Sequence, residues 1–344
     1  GSNGVVLITT KRGQEGRATV SYNGYYGWQT VSKKIDMLNA YEYADLVNDA
    51  RNNTYTDKME SINRKLIAQN KNPLSFDISD SNAIRLQNTS NDYNTIVPVE
   101  ILPYLRGEKG LVDTDWQDEI FQTGFITNNN ISITGASAKH SFYLGAGYAY
   151  EQGNIKKEKY SKVTLNVSND YKVTDNFKVG FQFNGARMLP ADTKSVATAL
   201  RAAPVAHVFN EEYGLYTTLP GFQKAQMNNP MVDVELKANT TKAENYRASG
   251  NVYGEWDFLK HFQFKVVYSM DYSSNSTRKY TPIIKVFDNS VEGKVETLGD
   301  GKTGVSQEKQ TETKVQSDYL LTYQNTWGEH SLTATAGFTT YYNE

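Results

Sequence analysis

The chain has 344 residues, a formal net charge of −2 and no cysteine. That is length enough for one large domain or two ordinary ones, and the near-neutral charge gives no case for a nucleic-acid partner or an electrostatic membrane tether. Disulfides, thiolate metal sites and cysteine nucleophiles are excluded together, while an oxidising compartment is permitted. Twenty-four tyrosines accompany a polar mean hydropathy of −0.60, and no stretch approaches the roughly 18 apolar residues that a spanning helix needs.

In chain order, residues 1–12 (GSNGVVLITTKR) begin inside a structural element, with no initiating methionine and no secretory signal. An exported protein needs such a signal, so the sequence is expected to be a piece of a longer chain. Strict apolar/polar alternation follows, repeated many times. Val20, Tyr22, Tyr26 and Trp28 share one face of 18–28, and a weaker strand is expected over 129–135. Phe142, Leu144, Ala146, Tyr148 and Tyr150 share a face of 141–151. Val163, Leu165 and Val167 alternate with Lys162, Thr164, Asn166 and Ser168. Phe177, Val179, Phe181 and Phe183 predict the next strand. Ala248, Val252, Trp256 and Phe258 form another, followed by Phe262, Phe264, Val266, Tyr268 and Met270. Strands over 313–327 and 331–342 complete about nine, most of them about ten residues or longer. A tilted transmembrane strand needs about ten residues, whereas soluble strands run nearer five or six.

The connections carry more weight than any motif. Short turns fall at 136–140, 174–176, 259–261 and 328–330, and they alternate without a miss with longer connections at 29–125, 152–159, 188–244 and 273–312. An outer-membrane barrel segregates loop length this way, with tight periplasmic turns and long external loops. A soluble sandwich or propeller has no reason to do so. Within the first long connection, 39–52 and 57–70 have helical spacing, the former behind an Asn cap at Asn39, and predict two short helices.

Asn3-Gly4-Val5-Val6-Leu7-Ile8-Thr9-Thr10-Lys11-Arg12-Gly13 resembles the closing strand of the plug in the SusC/RagA family of TonB-dependent outer-membrane transporters. The link Gln14-Glu15-Gly16, the segments 39–44 and 130–135, and above all Thr114-Asp115-Trp116-Gln117-Asp118 are similar to that family in the same order. The resemblance implies 1–13 as the end of a plug domain and 14–344 as the N-terminal part of an all-β transmembrane barrel of about 22 antiparallel strands. Nine strands cannot close in lipid, so the rest of the barrel, most of the plug and the TonB box are expected outside this sequence. It further implies active import of oligosaccharides or peptides, with TonB and a SusD-like surface lipoprotein as partners, in the outer membrane. Two alternatives are a TonB-dependent receptor for iron chelates or a vitamin, and a structural or adhesive barrel.

No catalytic constellation, cofactor site or metal site is evident. His140, His207, His261 and His330 are scattered, three of them in short turns, whereas a metal needs converging imidazoles. The run 113–118 looks like the start of a calcium loop but lacks glycine at the sixth position and glutamate at the twelfth; a helix start near Asp115 over a packed Trp116 fits better. Gly299-Asp300-Gly301-Lys302-Thr303 lacks the context of a phosphate loop and is expected to be a loop tip. Trp28, Trp256 and Trp327 sit near strand ends, as interfacial residues do. Tyr213, Tyr216 and Phe222 are the candidate substrate or partner contacts, and Asn3, Gly4, Thr114, Asp115 and Trp116 the family-motif residues.

Overall fold

The computed structural model describes residues 16–344 apart from 193, 195, 239 and 289–293; the expected plug ending over 1–13, with Asn3 and Gly4, lies outside the described residues. Strand β1 (Gly16–Gln29) leads into helices α1 (Ala40–Ala68), α2 (Asn82–Asn88), α3 (Leu102–Leu105) and α4 (Trp116–Ile120). Strands β2 (Gly124–Ala136), β3 (His140–Gln152), β4 (Lys159–Thr174) and β5 (Phe177–Leu189) follow. A connection then carries α5 (Val196–Arg201), β6 (Phe209–Asn210) and β7 (Leu215–Tyr216). The chain continues through β8 (Thr241–Phe258), β9 (Phe262–Thr281), the hairpin β10 (Ile284–Asp288) and β11 (Lys294–Leu298), then β12 (Gly304–Trp327) and β13 (His330–Asn343).

Nine strands among the described residues make one antiparallel sheet, ordered β1-β2-β3-β4-β5-β8-β9-β12-β13, so every strand pairs with its nearest sheet strand in sequence. Each predicted strand is present. The ladder register shows why the alternation is so regular. Val20, Ile133, Leu144, Val167, Phe183, Gly250, Met270, Val315 and Tyr342 stand side by side in one row across all nine strands. The next row is Ser21, Ser132, Gly145, Asn166, Asn184, Ser249, Asp271, Lys314 and Asn343. Because side chains alternate faces, one face carries a mainly apolar band across the sheet and the other face is mainly polar. The apolar face is uncovered: Val20 is 63% exposed, Val252 56% and Phe338 64%. A continuous apolar surface of this extent is incompatible with water and fits a hydrocarbon layer.

That assignment predicts an asymmetry between adjacent residues of β8. Arginine at Val252, within the apolar band, should cost about 2–4 kcal/mol of barrel stability in lipid, whereas arginine at Asn251 on the opposite face should cost far less. Refolding equilibria of the full-length protein in vesicles measure both, and equal costs would contradict the facing.

Two elements differ from expectation. The helices expected over 39–52 and 57–70 are one 29-residue helix, α1. The residues between them include neither glycine nor proline, and Tyr55 and Met59 are fully buried, so tertiary packing carries the helix across. Its start is a capping box: the Asn39 side chain accepts from Tyr41 N and Glu42 N, and the Glu42 carboxylate accepts from Asn39 N at 3.0 Å. Second, β9 runs on to Thr281 and β12 starts at Gly304, where a loop over 273–312 was expected. These extensions are rich in Ser, Thr, Gln, Lys and Glu. Beyond the apolar band neither face needs hydrophobic residues, so the ladder persists where its sequence signal has ended.

Candidate functional site

The long connections do not wave independently. Trp116, Ile120, Ile155, Ala199, Ala202, Ala206, Leu219, Met231 and Val234 form one core, drawn from the β1–β2, β3–β4 and β5–β8 connections. Val232 packs with Ile284 and Val286, bringing in the β9–β12 connection. Ala40, Ala44, Ile101 and Tyr104 form a third cluster, against which Val205 and Phe222 pack. The four connections therefore make a single cap at the end of the sheet opposite the short turns.

The segment 113–117 ties this cap together, one neighbour per side chain. Asp113 Oδ1 accepts from Ala40 N at 2.9 Å, anchoring the start of α1. Thr114 donates its hydroxyl to Ala206 O at 2.7 Å, and its backbone N–H to Pro204 O at 2.9 Å. Asp115 caps α4 by accepting from Gln117 N and Asp118 N, the helix start expected there. Trp116 is 3% exposed and donates Nε1–H to Ala203 O at 3.0 Å. Gln117, also buried, grips the backbone of Ile35 from both sides, accepting from Ile35 N at 3.0 Å and donating to Ile35 O at 2.6 Å. With its side chain committed to the α4 cap, Asp115 acts as structure within the cap.

A second tie joins the β5–β8 connection to the β10–β11 hairpin. Asp288 is fully buried and accepts from Lys224 Nζ at 2.6 Å, and Thr218 N donates to Phe287 O at 2.8 Å. The hydrogen bond to Asp288 holds the Lys224 ammonium above the usual lysine range. Asn229, 1% exposed, donates to Val208 O and Thr217 O and accepts from Met231 N. The resemblance marked the segment that holds Gln117 without saying what the side chain does, and no motif marked Asp288. Their value lies in backbone groups brought near by folding, which the sequence alone does not show.

Beside the 113–117 segment lies a cavity of about 540 Å³. Its apolar wall includes Ile35, Met37, Leu38, Leu46 and Leu200, and Asp36, Lys34 and Arg201 stand among its polar residues. Tyr43 also lines it, and burial raises its hydroxyl above the ordinary tyrosine value, opposed by Arg51. The three aromatic candidates are placed unequally. Tyr213 is 43% exposed, with its ring 4.6 Å from that of Phe287. Tyr216 is half-buried with its ring edge-on to Phe209 at 5.1 Å, and burial raises its hydroxyl. Phe222 is partly buried against the cluster of Ala40, Ala44, Ile101 and Tyr104. The structure does not gather the three into one site. The loop tip over 299–303 turns through Gly299 and Gly301, both at positive φ. Three histidines, His140, His261 and His330, lie at the short-turn end of the sheet, far from His207 in the cap.

No family model matches the chain. Curated relatives do. The TonB-dependent receptor P3 of Formosa agariphila is 24% identical over 350 residues, which cover 98% of this chain and 28% of that protein. The TonB-dependent receptor SusC of Bacteroides thetaiotaomicron is 24% identical over 284 residues, covering 76% of this chain and 23% of its own length. Among solved structures, the RagAB peptide importer in its closed-closed state superposes with a TM-score of 0.64 at 17% identity, over 95% of this chain and 35% of that one. The open-open state gives 0.60 at 16% identity. The chain thus spans about a quarter to a third of the length of the proteins it matches. By sequence along nearly its whole length, and by the fold of its nine-stranded sheet, the chain is similar to part of the SusC/RagA-type TonB-dependent outer-membrane receptors.

Proposed function

We propose that this chain supplies part of the barrel wall and external cap of an active importer of nutrient oligomers, oligosaccharides or peptides, across the outer membrane. The observation that carries the reading is the pairing of a two-faced transmembrane sheet with a rigid, multi-loop cap on one end only. A passive wall has no use for such a cap, whereas a substrate held above a gated pore does. In this reading residues 1–13 end the plug and 14–344 begin the barrel. TonB acts through a segment beyond this chain, and a SusD-like lipoprotein covers the cap. The work is differential binding and gating, without covalent chemistry. Of Tyr213, Tyr216 and Phe222, the exposed Tyr213 offers its ring most directly to a sugar or a partner, with the others behind it.

The test is extraction of the full-length protein from outer membranes in mild detergent, with mass spectrometry of whatever accompanies it. A stoichiometric surface lipoprotein with bound oligosaccharide or peptide is the expected result. Recovery alone, or with an iron chelate, would overturn the nutrient reading in favour of a chelate receptor.

A further inference from the structure

The outward face of β8, β9 and β12 changes character above the apolar band. On β8 the outward residues from Phe258 up to Ala248 are apolar or glycine, and Tyr246 stands at the rim. Above it, the same face carries Glu244 and Lys242. Lys242 lies directly opposite Arg278 of β9, and Lys309 of β12 lies opposite Ser276, one step diagonally from Arg278. Lys242, Arg278 and Lys309 are all exposed. Arg187 of β5 is opposite Tyr246 on the same face.

Like charges directly opposite on an antiparallel ladder have Cβ atoms only about 5 Å apart and destabilise it. The one carboxylate on this patch does not relieve them. Glu244 is engaged by Arg187 at 2.5 Å and by the Tyr246 hydroxyl at 2.5 Å. The ionic contacts among the described residues leave Lys242, Arg278 and Lys309 without a carboxylate partner. With Arg187 and Glu244 counted, four cations and one anion leave the patch at a net +3.

Position decides what neutralises it. The patch sits on the lipid-facing side of the wall, at the long-connection end, continuous with the apolar band and the rim residue Tyr246. Long cationic side chains at such a height snorkel toward the headgroup layer. We propose that Lys242, Arg278 and Lys309 form a docking site for the anionic headgroup of an outer-leaflet glycolipid, whose phosphate or carboxylate oxygens bridge the opposed cations. The lipid is thereby a fixed collar on this side of the wall. The proposal rests on reading the sheet as an outer-membrane wall.

Native mass spectrometry of the full-length protein, delipidated and then titrated, tests it. The probes are a phosphorylated lipid A glycolipid, zwitterionic phosphatidylethanolamine and inorganic phosphate. Wild-type protein should retain the glycolipid selectively, and each cation removed should weaken retention about fivefold, so that K242Q/R278Q/K309Q loses about 100-fold. The variant R278E replaces a repulsive pair with an attractive one, so it should fold at least as well and still lose the glycolipid. Equal retention by wild type and R278E, or equal retention of phosphatidylethanolamine, would overturn the proposal. Retention of inorganic phosphate in place of the glycolipid would overturn it too, since the site would then be an anion site with no lipid role. Recovery of the protein outside the outer membrane would instead defeat the underlying wall reading, and that result is separately visible.

Discussion

Trp116→Ala is expected to cost about 3–5 kcal/mol and to loosen the whole external cap while the strands stay paired. The indole is 3% exposed at the centre of a core shared by three connections, so its loss opens a cavity that no single loop can collapse into. Its Nε1–H also holds the carbonyl of the fully buried Ala203, to which no other donor is seen among the described residues. Trp116→Phe separates the two contributions: most of the packing area stays, and the loss should fall to roughly 1–3 kcal/mol, the cost of an unsatisfied buried acceptor. Hydrogen exchange of the full-length protein would show faster exchange over 30–123 and 196–238 for the alanine variant, with protection of β2 to β5 unchanged. If exchange rises only next to residue 116, the connections are independent and the cap is not one unit.

Arg85 offers the second large effect, within the helical part of the cap. Its side chain is 2% exposed, yet among the described residues no carboxylate forms an ion pair with it. It is held instead by a ring of acceptors: Asp80 O at 3.1 Å from Nε, Thr95 O at 2.9 Å from Nη1, Asn52 Oδ1 at 2.7 Å from Nη2, and Ile78 O. The guanidinium carbon lies 4.9 Å from the centre of the Tyr55 ring, whose hydroxyl donates to Asp80 Oδ2 at 2.7 Å. Burial pulls the guanidinium below its usual value, and the nearby Tyr55 and Asp80 oppose this. It stays charged at any working pH, because arginine does not deprotonate in proteins. Arg85→Leu strands the buried Thr95 carbonyl and three part-buried acceptors, so a loss of about 3 kcal/mol or more is expected. Arg85→Lys should lose most of the same stability, since a single ammonium cannot reach acceptors arranged around a planar fork. Thermal melting followed by proteolysis at 40–111 measures both; a lysine variant as resistant as wild type would show that charge alone, without the fork, suffices there.

Arg85 was not conspicuous beforehand. Arg85 sits in an Asn- and Ser-bearing stretch with no periodic pattern, and its partners come from Asn52, Ile78, Asp80 and Thr95, which only the fold of α1 over α2 brings together. Trp116 and its neighbours were singled out by resemblance, but what each of them holds could not be read from spacing. Gln117 makes the point most clearly. It is an ordinary polar residue in the sequence, and in the structure it bonds both backbone groups of Ile35, 82 positions earlier.

The strands were legible for the opposite reason. A wall one layer thick between lipid and a polar interior imposes its demand residue by residue, so the sequence by itself determined the period of two, the number of strands in the sheet and the segregation of long connections to one end. Register, too, was implicit, because shifting any strand by one would turn Val167 or Phe183 to the polar face and Asn166 or Asn184 into lipid. Where that two-sided demand lapses, so did the signal. The upper halves of β9 and β12, the merging of two helical stretches into α1, the burial of Tyr216 and Phe222, and the fusion of four connections into one cap were decided only by tertiary structure. There the stabilising contacts are between segments far apart in the chain, and they depend on which backbone groups and which apolar edges meet in space.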